Sequence, residues 1–224
     1  MVDPLVSLRH RRGLRLGLMG GTFDPIHIGH LVTAEEALQQ FSLDEIVFIP
    51  TGRPPHKGSQ VASSEERYTM TCVATAAHPH FWVSRLEIDS PGMDYTVDTL
   101  ATLRRVFPAD VEFFFITGAD AVLEILAWKE PERVLEWCDI IAATRPGYDL
   151  ARLADVLAGF ARRDHVHVME IPSIAVSSSM IRERLRDGRG VRYLVPDGVG
   201  ALIHKSRTYG PSMDAPSAGA ADRD

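Results

Sequence analysis

Two histidines three residues apart, His27 and His30, close the segment Met19-Gly20-Gly21-Thr22-Phe23-Asp24-Pro25-Ile26-His27-Ile28-Gly29-His30. At the start of a helix both imidazoles face the same point, and Gly29 leaves no side chain between them. A helix N-terminus adds free N–H groups and the positive end of a dipole, which together favour a phosphate. Gly20 and Gly21 allow positive φ and a close backbone approach to a ligand. Far downstream, Val176-Ser177-Ser178-Ser179-Met180-Ile181-Arg182 repeats the theme with three hydroxyls at a helix start. Arg182, one turn on, can return a bidentate guanidinium to the same anion. The His pair read as a metal site lacks a further ligand at helical spacing and a nearby cysteine. A dehydrogenase fingerprint needs G-x-G-x-x-G, a spacing that Gly17, Gly20 and Gly21 do not have.

Four more segments carry polar or aromatic groups. Pro50-Thr51-Gly52-Arg53-Pro54-Pro55-His56-Lys57 is a proline-stiffened loop that gathers Arg53, His56 and Lys57. In Asp94-Tyr95-Thr96-Val97-Asp98 a Tyr-Thr pair enters a helix, which alone means a cap. Thr117-Gly118-Ala119-Asp120-Ala121 precedes Trp128-Lys129, where Asp120 alone reads as a cap and Trp128 as a packing residue. Arg145-Pro146-Gly147-Tyr148 is the last.

The elements that must position these groups follow from periodicity. Apolar runs predict strands over 14–19, 46–49, 81–88, 111–117, 139–143 and 165–171. Helical patterns occupy 29–41, with Leu31, Ala34, Leu38 and Phe41 on one face, and 64–77, where Ser63 and Glu66 suit a capping box. Further helices fit 97–107, 150–160, 180–186 and 199–204. Strands alternating with helices predict an α/β fold with a doubly wound, mostly parallel sheet in three α/β/α layers. Ligands of such sheets bind beyond the C-terminal strand ends, at the topological switch point. Every segment above lies in such a loop.

Composition bounds the rest. The 224 residues suffice for one sizeable domain, predicted over 14–210. Residues 1–13 read as a loose, flexible basic extension, and 211–224 as a small, polar tail that cannot offset its ordering entropy. A net charge of −6 argues against a nucleic-acid binder but allows anionic substrates if basic residues converge locally. Cys72 and Cys138 are too few for a disulfide framework and read as small hydrophobes, although one bridge stays open. No apolar run approaches the ~20 residues of a membrane span. No apolar stretch follows the N-terminal arginines, so the expected compartment is the cytoplasm. Oligomeric state is left open, a homo-oligomer included.

G-G-T-F-D-P-x-H-x-G-H resembles the signature of the nucleotidylyltransferase superfamily, whose H-x-G-H element contacts ATP phosphates. The Pro-Pro-His-Lys, Tyr-Thr, Gly-x-Asp, Trp and Arg-Pro-Gly-Tyr segments resemble bacterial nicotinate-nucleotide adenylyltransferases, over roughly residues 15–209. Val176 and Ser179 stand where that family has Ile and Thr. The resemblance implies a Rossmann-like fold and adenylyl transfer from ATP to nicotinate mononucleotide. It makes His27, His30 and Arg182 catalytic, and Gly20, Gly21, Thr22, Phe23, Gly118, Asp120, Ser177, Ser178 and Ser179 ATP contacts. His56, Lys57 and Arg145 would hold the mononucleotide phosphate, Tyr95 and Thr96 the nicotinate carboxylate, and Trp128 the pyridine ring. Mg²⁺ is expected on substrate phosphates and waters, with no protein metal site. Alternatives are a nicotinamide-mononucleotide or pantetheine-phosphate adenylyltransferase, a cytidylyltransferase, and a nucleotide sensor without turnover. A class I aminoacyl-tRNA synthetase shares His27-Ile28-Gly29-His30, but the chain lacks the Lys-Met-Ser-Lys-Ser-like loop.

Overall fold

A computed structural model describes residues 3–53 and 61–210. The strands are β1 (Arg15–Gly21), β2 (Glu45–Pro50), β3 (Phe81–Val83), β4 (Glu112–Gly118), β5 (Asp139–Thr144) and β6 (Val166–Glu170). They form one sheet in the order β3-β2-β1-β4-β5-β6, with every neighbouring pair parallel. Helices α1 (Leu5–Leu8), α2 (Ile28–Gln40), α3 (Ser64–Thr75), α4 (Thr96–Val106), α5 (Ala119–Leu123), α6 (Pro131–Trp137), α7 (Leu150–Leu157), α8 (Ser178–Arg186) and α9 (Asp197–Ser206) connect or flank them.

Parallel strands covered on both faces must be apolar throughout, and β2 is buried along its whole length. The alternation of strand side chains then sorts the core into two halves. Leu16, Leu18 and Val47 pack with Val97, Leu100 and Leu103 of α4 and with Val134 and Leu135 of α6. Ile46, Phe48 and Ile116 pack on the other face with Ala34 and Ala37 of α2, Ile181 of α8 and Val199 of α9. The three-layer, doubly wound fold expected from the alternation is therefore the one observed. Strand β1 lies between β2 and β4, so the chain crosses from one half of the sheet to the other there, which is the switch point.

Two expectations need correction. The basic segment before β1 is not loose: Leu5 and Leu8 of α1 are buried against the α4 side of the core. Arg12 pairs with Asp110 at 3.0 Å, and Arg11 pairs with Glu45. The third strand ends at Val83 instead of running to Ile88. Asp3 Oδ2 accepts from the Ser84 hydroxyl at 2.8 Å and from the Arg85 amide at 2.9 Å. The Ser84 amide still donates to the Phe48 carbonyl, but the next amide on that edge, that of Leu86, turns back to Ser84 Oγ at 3.1 Å, and the ladder stops there. Helices α5 and α6 also escaped the periodic pattern, being too short to show one.

Both cysteines are free thiols, Cys138 buried and Cys72 half-buried. Burial pushes the Cys138 thiol up to about 12, so it stays protonated and packs as a hydrophobe. Among the described residues no helix is long and apolar enough to cross a membrane.

Candidate active site

A cavity of about 690 Å³ opens at the C-terminal ends of β1, β4 and β5. Four of the segments picked from sequence meet in its wall: His27 and His30 from α2, Gly118 and Asp120 after β4, Arg145 after β5, and Ser177 and Ser178 from α8. They come from chain positions far apart, and only the crossover at β1 brings them together.

His27 is the extended N-cap of α2 and His30 its third residue. Their rings stack with centroids 3.7 Å apart and 20° from parallel. The His27 amide donates to His30 Nδ1 at 3.2 Å, so in the neutral ring the His30 proton sits on Nε2. Gly29 is required by this stack: a Cβ there would stand 3.1 Å from the His27 ring. Burial, with the Arg145 charge adding to it, pulls the His27 imidazole down to about 4. Burial and the neighbouring His27 hold His30 well below the usual imidazole range. The pair therefore waits neutral, each ring with one N–H to offer, and His27 Nδ1 is buried with no partner among the described residues.

The glycines of this loop do a different job from the one expected. Gly20 and Gly21 end β1 without positive φ. A Cβ on Gly20 would meet the Phe115 ring at 3.2 Å, and one on Gly21 the Phe23 ring at 3.0 Å. It is Phe23 that takes positive φ, at 50°. Its buried ring stands edge-on to His30, with centroids 5.1 Å apart, and so floors the histidine pair. Thr22 offers its carbonyl to a buried arginine, described below.

Helix α8 supplies the opposite wall. Ser177 caps it, accepting from the Met180 amide at 3.2 Å. The Ser178 hydroxyl donates to the Pro25 carbonyl at 2.9 Å, which stitches α8 to the loop before α2. Ser179 is exposed and accepts from Arg182 Nη2 at 3.3 Å. Arg182 is absent from the cavity wall itself: its Nη1 donates to the Asp24 carbonyl at 2.7 Å. Two of the five N–H donors of a guanidinium are thus engaged.

Tyr95, Thr96 and Trp128 are absent from the cavity wall, and Tyr95 and Trp128 pack against the α4 side of the core. Tyr95 is the N-cap of α4 and Thr96 its first residue, with no side chain capping the free amides. Lys129 Nζ lies 4.9 Å above the Tyr95 ring and 2.8 Å from Asp98. Trp128 is half-buried, edge-on to Phe115 with centroids 5.9 Å apart. In the cavity wall the Tyr148 hydroxyl donates to Asp120 at 3.2 Å. His56 and Lys57 lie outside the described residues.

Sequence reading missed Arg67 on α3. It is 1% exposed. Its Nη1 donates to the Thr22 carbonyl and its Nη2 to the Thr51 carbonyl, both at 2.6 Å, so it ties the loop after β1 to the loop after β2. The signal was available: Arg67 stands on the same helical face as Met70, Thr71 and Thr75, all buried. An arginine on an inward stripe is rarely left there without buried carbonyls to serve.

The family described as cytidylyltransferase-like matches residues 18–184. A protein of Moorella thermoacetica, named a probable nicotinate-nucleotide adenylyltransferase, is 49% identical over 203 residues, covering 89% of this chain and 94% of its own. One of Mycobacterium tuberculosis with the same name is 46% identical over 201 residues, covering 89% and 94%. The solved structure of Plasmodium falciparum nicotinic acid mononucleotide adenylyltransferase complexed with APC superposes with a TM-score of 0.70, covering 88% of this chain and 97% of that one. At 20% identity that likeness speaks for the fold. The chain belongs to the cytidylyltransferase-like family, and within it to the nicotinate-nucleotide adenylyltransferases.

Proposed function

We propose that the protein transfers the adenylyl group of ATP to nicotinate mononucleotide, giving deamido-NAD and pyrophosphate. The observation that carries this reading is the neutral His27–His30 stack facing the amide-rich start of α8 across one cavity. A triphosphate needs many hydrogen-bond donors at one place, and the two ring N–H groups and the free amides at the starts of α2 and α8 supply them. The mononucleotide phosphate attacks the α-phosphorus in line; the new P–O bond forms as the bond to pyrophosphate breaks. That phosphate is already an anion at neutral pH, so no general base is required. The protein positions the two substrates and stabilises charge as it builds on the phosphoryl oxygens.

In this reading His27, His30, Ser177, Ser178, Ser179 and Arg182 hold the triphosphate, and Gly118 and Asp120 lie along the adenosine. The backbone of Gly20 to Phe23 lines the approach. Arg145, with His56 and Lys57, receives the mononucleotide phosphate. The free amides of Tyr95-Thr96 receive the nicotinate carboxylate, and Trp128 stacks on the pyridine. Asp120 is the one carboxylate in the cavity wall, and no cluster of three or more acidic, His or Cys ligands exists among the described residues. Such a donor set fits Mg²⁺ carried by phosphate oxygens and water, with Asp120 close by. When bound, the ion neutralises triphosphate charge.

Pyrophosphate release from ATP is the test, measured with nicotinate mononucleotide, nicotinamide mononucleotide and phosphopantetheine in parallel. The expected result is turnover with the first and a much lower kcat/KM with the second, because a carboxylate takes hydrogen bonds roughly twice as strong as an amide. Equal use of the two pyridine nucleotides would remove the role given to Tyr95-Thr96. Turnover with phosphopantetheine alone, or with none, would overturn the assignment.

A further inference from the structure

Asp24 and Tyr209 form a buried pair outside the cavity wall. Each is 2% exposed. The Tyr209 hydroxyl donates to Asp24 Oδ1 at 2.6 Å. The same oxygen takes the Ala62 amide at 3.1 Å, and Oδ2 takes the Val61 amide at 2.9 Å. The other end of Asp24 faces Arg182: its carbonyl accepts Nη1 at 2.7 Å, and Oδ2 stands 3.8 Å from the same nitrogen. Buried Arg67 lies close enough for its charge to be felt by both Asp24 and Tyr209.

We infer that Asp24 and Tyr209 are positioning residues for adenylyl transfer: through Asp24, the tyrosine hydroxyl fixes the Arg182 guanidinium that receives the triphosphate. The inference rests on the reading of Arg182 as a triphosphate group. Arg182 has several rotatable bonds, so left alone it would pay side-chain entropy to meet an anion. Asp24 removes that freedom through its main-chain carbonyl, and the anchored carboxylate fixes where that carbonyl stands. Among the described residues two backbone amides and one phenol hold it, and the phenol is the donor supplied by a side chain. Burial and the adjacent carboxylate push the Tyr209 hydroxyl up from its ordinary range, so it remains a donor at any working pH. Neither residue touches the cavity, so any effect on ATP must pass through Arg182 or through the fold.

A double-mutant cycle separates those routes. ATP and mononucleotide kinetics are measured for wild type, Tyr209→Phe, Arg182→Ala and the double variant. Tyr209→Phe is expected to lower kcat/KM for ATP about tenfold, the equivalent of one hydrogen bond to a charged group. KM for the mononucleotide should move about twofold or less, and in the Arg182→Ala background the tyrosine substitution should cost about twofold or less. Losses that multiply in the double variant would show a purely structural role and overturn the inference, as would wild-type ATP kinetics in Tyr209→Phe. Wild-type ATP kinetics in Arg182→Ala would instead overturn the reading of Arg182, which is a separate and visible outcome. Should Tyr209→Phe fold poorly, Asp24→Asn keeps the carbonyl that Arg182 uses and enters the same cycle with the same expectation.

Discussion

His30 accepts the backbone proton of His27 on Nδ1, at 3.2 Å, which leaves its Nε2–H as the donor for a ligand. The tautomer of His30 is thus set by the helix start it belongs to, with no carboxylate needed to orient the ring. His30→Ala is therefore expected to lower kcat by ~10²–10³, the loss typical of one preorganised donor at developing charge. Thermal stability should stay near wild type, because the ring packs on Phe23 and His27 at a cavity rim and not in the core. Near-wild-type turnover of the purified variant would remove His30 from the chemistry.

The histidine pair also makes a pH prediction. His27 titrates at about 4 in the folded chain and near 6.5 when unfolded. The folded pKa is depressed, so the His27 contribution to stability is complete above about 6.5 and is lost as pH falls through that window to about 4. His30 acts in the same direction. Replacing His27 with Gln should flatten the acid limb of the stability curve measured by urea titration between those pH values. NMR of the ring should show the His27 titration low in the free protein and shifted upward by ATP, since an anion favours the imidazolium. A free-protein titration near 6.5 would contradict the buried, neutral pair.

Trp128 is half-buried and packs edge-to-face with Phe115, and the proposed role for it is stacking on the pyridine. Trp128→Ala should raise KM for the mononucleotide and leave KM for ATP nearly unchanged. Base–aromatic stacking is worth ~1–3 kcal/mol, or roughly 5- to 150-fold. Trp128→Phe should recover part of the loss. Mononucleotide added without ATP should quench a fluorescence signal that disappears in Trp128→Phe. A quench that survives, carried by Trp82 or Trp137, would mean that another part of the strand-end surface holds the ring.

Arg67 gives a prediction about fold and site together. Arg67→Met removes the donors of the Thr22 and Thr51 carbonyls inside the protein. Two orphaned buried carbonyls should cost ~2–4 kcal/mol, read from denaturant unfolding. Both KM values should rise, because the loops after β1 and β2 lose their common tie. Arg67→Lys offers only one ammonium to two separated carbonyls and should recover part of the stability. Wild-type stability in Arg67→Met would show that water serves both carbonyls as well as the guanidinium does.

The alternation of apolar runs and helical stripes determined the parallel sheet and its three layers, because strands covered on both faces admit few polar residues and helices on their surfaces admit few apolar ones outside one stripe. The convergence of the two imidazoles after β1 was equally legible, since His27, Gly29 and His30 are neighbours in the chain and their geometry is local. What the tertiary structure decided was everything that joins distant segments. Asp3 tied the N-terminal segment to Ser84 and Arg85 from a position whose charge and polarity read as solvent-facing. Phe23, not the glycines, took the left-handed backbone, because Gly20 and Gly21 were needed to make room for the rings of Phe115 and Phe23. Arg67, Asp24 and Tyr209 met in one buried cluster although no spacing relates them. Local propensity sees a few residues on either side; a buried polar group finds its partner only after the sheet has brought its loops to one edge.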